Sequence, residues 1–199
     1  MRSKIIFMII LLGLCGFIFL MPDTEPDAHL PSYDNRMQED HAPTPFTSKE
    51  IAEACSTGLE MKYMIEQKGK APFYQITWFT NSDSEGTDFE ATTTDLDGNI
   101  LQEQTAHATW LELQAHASFP EKDCVINLAT IELEMSGKLH CWLYTVKKDG
   151  GISKLWFARN LPGPPVLFEQ YKGGKRVYRM SLVRNSYLDE LEDSESETQ

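Results

Sequence analysis

The side chains able to do chemistry in this 199-residue chain are few, and their spacing decides what they could do. A zinc site needs ligands gathered on one face, as a helical i, i+4 pair or a Cys-x-x-Cys pair. His107 and His116 are nine apart, which places them on opposite faces of any common helix, and no Cys-x-x-Cys occurs. No metal site is expected. Cys141 follows His140 directly, but neighbours on a strand point to opposite faces and do not pair as nucleophile and base. They read as a packed thiol beside a surface histidine. No Gly-x-Ser-x-Gly elbow is present. Glu132, Glu134 and Asp95 could supply a glycosidase-like carboxylate pair, yet Glu132 and Glu134 share one strand face and read as its solvated side. Gly150-Gly151 and Gly173-Gly174 fit hairpin turns, not a phosphate loop. No catalytic residue and no cofactor are expected, and a hydrolase without a recognisable motif is the third of three functional readings.

The remaining thiols bear on the compartment. Outside the first 21 residues lie Cys55, Cys124 and Cys141. In an oxidising compartment one bridge is expected, Cys55 to Cys124, because both sit near element ends where geometry is forgiving. The alternative is no disulfide. Closing so long a loop would contribute roughly 3–5 kcal/mol.

The compartment itself is read from residues 5–21, an uncharged apolar run from Ile5 to Met21 that follows Arg2 and Lys4. That run is long enough for a membrane-spanning signal anchor, with its basic side in the cytoplasm and the bulk of the chain outside. A cleaved signal peptide competes, but it wants small residues before its cleavage site, and this run ends Phe19-Leu20-Met21-Pro22. A lipoprotein signal at Cys15 is the third option, against which stands Leu14 where a small residue belongs. No Asn-x-Ser/Thr sequon occurs, and a bacterial envelope, periplasmic or extracellular, is the expected setting.

The net charge of -12 is uneven. Asp23, Glu25, Asp27, Asp34, Glu39 and Asp40 face Arg36 alone in residues 22–45, and Asp189, Glu190, Glu192, Asp193, Glu195 and Glu197 face no base in 186–199. Residues 46–185 are left near -3. Residues 22–45, rich in Pro and acids, read as a disordered tether in which His29 and His41 are incidental; 186–199 read as a disordered acidic tail. No run of bases marks a site for phosphates, so nucleic acid is not expected as a partner.

Between these ends, residues 46–185 form the expected extracytoplasmic β domain. Thr47-Ser48-Lys49-Glu50 is a capping box, with Phe46 and Ile51 as its staple, and starts a short helix to about Ala54. Strands follow over 59–65, 73–80, 87–94 and 100–105. Thr109-Trp110-Leu111-Glu112 is a second capping box, opening a helix to about Ala117. Five more strands follow over 125–135, 139–147, 152–158, 166–171 and 175–183, separated by Gly-containing turns. The fold class is mainly β (α+β): a curved antiparallel sheet or half-barrel of about nine strands, with two short helices.

Two stretches also carry a family resemblance. Gly137-Lys138-Leu139-His140-Cys141-Trp142-Leu143-Tyr144 and Leu155-Trp156-Phe157-Ala158-Arg159-Asn160-Leu161-Pro162-Gly163-Pro164-Pro165-Val166 resemble uncharacterised exported bacterial proteins of the DUF3108 or TapB-like kind. The resemblance covers roughly residues 120–183 and implies a half-barrel like the lipoprotein carriers, with structural rather than catalytic motifs. An apolar ligand surface is expected at Trp78, Trp110, Trp142, Trp156 and Phe157, with the loop 161–165 as a stiff rim. The leading reading is thus a non-enzymatic binding module for a lipid, another hydrophobic ligand or a lipoprotein. The runner-up is an envelope adaptor that holds a protein partner through an edge strand.

Overall fold

The computed structural model describes residues 29–134 and 137–186. The run 5–21 and the acidic residues 187–199 lie outside them, as do the anchor and tail read there. No helix among the described residues is long and apolar enough to cross a membrane.

Both capping boxes form. Thr47 Oγ1 accepts from the Glu50 amide while the Glu50 carboxylate accepts from the Thr47 amide, opening α1 (Ser48–Ala54). Thr109 and Glu112 repeat this at α2 (Trp110–Ala115). Nine antiparallel strands make one open sheet: β1 (Glu60–Gln67), β2 (Phe73–Ser82), β3 (Gly86–Thr94), β4 (Ile100–Thr109), β5 (Cys124–Leu133), β6 (Gly137–Lys148), β7 (Gly151–Ala158), β8 (Leu167–Lys172) and β9 (Lys175–Asn185). The order is β4-β3-β2-β1-β9-β8-β7-β6-β5, two meanders joined where β9 pairs with β1. β4 and β5 are therefore the two edges, so the sheet does not close into a barrel. It does curl, since Leu133 and Glu134 line one cleft with Ser181 and Leu182.

Alternation along the strands sorts the side chains by face. Met61, Tyr63, Ile65, Phe79, Tyr144, Phe157 and Leu182 are buried and belong to the face that carries the helices. Leu139, Cys141, Trp156 and Leu167 belong to the other face, and are also buried. Two threonines of β3 are buried: Thr94, and Thr87 with its hydroxyl bonded to Ser82 and the Asp88 carbonyl.

The expected tether is corrected over residues 29–45, which pack against the sheet as a strap. Trp142 Nε1 donates to the His29 carbonyl at 2.9 Å and Tyr144 Oη to the Pro43 carbonyl at 2.8 Å. Arg36 pairs with Glu121, and His41 bridges to Pro120 while its ring bonds Ser118. Ala42, Thr44 and Phe46 are buried beneath. Pro and acids lower the odds of order, but the backbone carbonyls of this segment meet buried Trp and Tyr donors that would otherwise be unsatisfied.

The expected disulfide is also corrected. Cys55, Cys124 and Cys141 are free and buried. Cys55 caps α1 and its thiol faces the Pro162 carbonyl in the loop after β7. Cys124 opens β5 opposite Val146, at the other end of the strands. Counting along β6 from Cys141, which pairs with the end of β7, to Val146 gives about 17 Å at ~3.4 Å per residue, well beyond disulfide reach.

Candidate functional site

Helices α1 and α2 do not cover the sheet completely. Between them and the strands lies a cleft of about 290 Å³. Phe46 and Ile51 wall it from the strap and α1, Leu113 and Ala117 from α2 and its exit. Phe79, Leu155, Phe157, Phe168 and Met180 form its floor. The loop 161–165 supplies Gly163, Pro164 and Pro165 as its rim. Gly163 has φ +142°, and a Cβ there would stand 3.3 Å from Cys55 Sγ, so glycine lets the rim approach α1.

The polar content of the cleft is small and mostly spoken for. Gln114 Oε1 accepts from the Ser48 amide at 2.8 Å, satisfying one free donor at the start of α1, and its amide nitrogen donates to Thr44 Oγ1 at 3.0 Å. Gln114 therefore locks strap, α1 and α2 together rather than facing a ligand. His116 is the other polar residue of the wall. A second cleft of about 250 Å³, which shares Pro164, is lined with Glu50, Glu53, Asn160 and Asn185 and offers less apolar surface.

The aromatic residues expected to form one surface are dispersed. Trp142 and Phe157 are cross-strand partners, and Phe46 covers both, with ring centroids 5.6 and 6.4 Å away. Of the five, Phe157 alone lines the cleft. Trp156 belongs to the opposite face. Trp78 is half-buried on that face too, its Nε1 bonded to Glu60 at 2.8 Å. Trp110 is buried at the start of α2, donating to the Asp83 carbonyl. Large rings in alternating strand positions divide between faces, so one shared surface was not to be had from them. Leu113, Phe168 and Met180 were missed as lining residues. The i, i+3 spacing of Trp110 and Leu113 on α2 was the available signal.

The groups weighed for catalysis are placed as follows. His107 lies on β4, its Nδ1 2.8 Å from Asp88, and that contact holds the Asp88 carboxyl below its usual range. His140 Nδ1 meets the Thr130 hydroxyl. Among the described residues, no group of three or more His, Cys, Asp or Glu is placed to hold a metal ion. Burial pushes the Cys55 and Cys141 thiols up to about 12 and Cys124 to about 11, so none is a thiolate near neutral pH. Native protein treated with iodoacetamide at pH 8 is expected to leave these three unlabelled, and denaturant without reductant to release all three; peptide mass mapping checks both. Because the folded values are raised, this contribution to stability is full below the unfolded thiol value of about 8.5 and is lost as pH rises through 11–12. Guanidinium midpoints should therefore fall from pH 8 to pH 10.5.

No family model matches the chain, so membership of the DUF3108 or TapB-like families is not confirmed, and no curated protein matches it. Solved structures do. A chain of the Pseudomonas aeruginosa MucA/MucB complex is 14% identical, with a TM-score of 0.49, over 69% of this chain and 54% of that one. A crystal structure of MucB gives 0.48 at 14% identity, over 69% and 56%. A Bacteroides fragilis protein with a YmcC-like fold gives 0.41 at 12% identity, over 65% and 96%. The chain spans about half the length of the MucB chains it matches. At these scores and identities nothing about activity transfers.

Proposed function

We propose that this chain is a non-enzymatic, membrane-tethered extracytoplasmic module that takes one apolar chain, an acyl chain or an apolar side chain of a lipoprotein or peptide, in the cleft between α1, α2 and the sheet. The observation that carries it is the lining: aliphatic, aromatic and proline residues on every wall, with the central polar group, Gln114, already bonded on both ends. At about 290 Å³ the cleft is at the small end of ligand pockets, ~300–1,000 Å³, which fits a single chain and not a whole lipid. The stiff rim lowers the ordering cost of binding. Native mass spectrometry of the full chain released from lipid nanodiscs is expected to show a bound, extractable acyl-sized mass. Leu113→Trp, which puts a ring into the cleft, should reduce that adduct at least ten-fold while keeping the melting transition. An adduct unchanged by Leu113→Trp would contradict the proposal.

A specific observation favours a second reading, a protein partner added at an edge strand. β4 is exposed from residue 100 to 107 on both faces, with Ile100 and Leu101 at 62% and 60% exposure. It carries neither Lys nor Pro, the residues that commonly guard an edge. In that case partner binding would be indifferent to Leu113→Trp.

A further inference from the structure

The register of the sheet gathers bases that are scattered in the sequence. Because β1, β9, β8, β7 and β6 are consecutive neighbours, the β1–β2, β8–β9 and β6–β7 hairpins turn side by side at one end of the strands. Lys68 and Lys70 lie at the first, Lys172 and Lys175 at the second, Lys147 and Lys148 at the third, all exposed. Asp149 is the one acid within these turns. Arg176 and Arg179 also lie here, but Glu66 and Glu169 pair with them. At about 4.8 Å between strands, the three lysine pairs repeat roughly every 10 Å. At the opposite end lie Asp83 and Glu85 in the β2–β3 turn, Asp88 just after it in β3, and Glu132 and Glu134 where β5 ends. The lysine end also holds the β3–β4 turn with Asp95 and Asp97 and the Glu121–Asp123 turn before β5, but these flank the row, and the three hairpins at its centre carry six lysines against Asp149 alone.

We infer that the lysine row is a docking surface for an anionic lipid bilayer, holding the domain with its hairpin tips against the membrane. This rests on the reading of residues 5–21 as the anchor. The reach closes. Seven residues, 22–28, separate that run from His29 and span at most about 25 Å. His29 is bonded to Trp142, six residues of β6 from Lys148, or ~20 Å along the strand. The chain's own acidic end fits less well as occupant. It starts beyond Asn185, and β9 is 11 residues long, so residues 187–199 would have to run back almost fully extended to bring even their last acids to the row. A second copy would bring another -12 with it.

The test places the full chain in nanodiscs of phosphatidylcholine alone or with phosphatidylglycerol, an energy-transfer acceptor in the lipid, and a dye at Ala71→Cys on the β1–β2 hairpin or at Ser84→Cys at the far end. The buried native thiols of the domain stay unlabelled. Energy transfer from residue 71 is expected to rise at least two-fold with phosphatidylglycerol and to fall back in 0.5 M NaCl, while residue 84 changes little. Each lysine near such a surface strengthens docking by roughly five-fold, so joint Lys68→Glu, Lys70→Glu, Lys172→Glu and Lys175→Glu should abolish the rise. Equal transfer in both lipids, or a rise that survives the reversal, overturns the inference. So does a row that binds polyglutamate but ignores phosphatidylglycerol, which would mark an acidic polypeptide as its partner. Retention in the disc at high salt reports the anchor separately. If salt releases the chain, sedimentation with phosphatidylglycerol vesicles decides the row alone, binding supporting it and no binding overturning it.

Discussion

Tyr144→Ala is expected to lower stability by about 3–5 kcal/mol and to free the strap over residues 29–45. Tyr144 is fully buried in the middle of β6. Its ring meets Phe157 edge-on at 5.2 Å and Phe119 at 6.3 Å, and its hydroxyl donates to the Pro43 carbonyl at 2.8 Å. Truncation removes the ring volume and leaves that carbonyl without its donor. Tyr144→Phe separates the two effects: it keeps the ring and should cost about 1–3 kcal/mol, the range for one orphaned buried group. Guanidinium melts give the magnitudes. Limited proteolysis reads the strap, with cleavage near Tyr33 or Arg36 expected to speed up in Tyr144→Ala first. If the strap resists proteolysis as in the wild type, the Tyr144–Pro43 bond is not what fastens it.

Gly86→Ala is the second large effect, for a backbone reason. A Cβ at Gly86 would stand 2.4 Å from the Ala108 carbonyl oxygen and 2.9 Å from Thr109 Cα. Neither atom belongs to a flexible side chain. β4 is held there by the Gly86–Thr109 pairing, and Trp110 is held by its amide on the Glu85 carbonyl and its Nε1 on the Asp83 carbonyl. Relief must therefore move the start of α2, on the wall of the cleft. A loss on the order of 3 kcal/mol is expected, with weakened acyl binding in whatever fraction remains folded. A melting curve like the wild type's would mean that β4 yields freely, and that α2 is not fixed by this corner.

How much of this was legible beforehand varied with the range of the interaction. The two capping boxes and the nine strands are local signals, carried by Thr47, Glu50, Thr109, Glu112, period-two alternation and Gly turns, and they appear where expected. The order of strands was not local. Nothing near β9 says that it pairs with β1, and that one pairing brings Lys68 and Lys172 to the same end. The lysine row was not legible for this reason, since Lys70, Lys147 and Lys175 are far apart in sequence. The strap failed as a tether because its composition is that of a linker, while its order comes from Trp142 and Tyr144, about a hundred residues away. The cleft was half-legible. The Gly163-Pro164-Pro165 rim and Phe157 line it, whereas Trp78 and Trp156 occupy the other face.

Photo-crosslinking would show whether the cleft under α1 and α2 receives one apolar chain. The full chain in nanodiscs doped with a diazirine-bearing palmitic acid would be irradiated and the labelled peptides mapped. Labels at Leu113, Phe157, Pro165 or Met180, lost in Leu113→Trp, are expected. Labels confined to residues 5–21, with the cleft residues unmarked, would contradict the proposal.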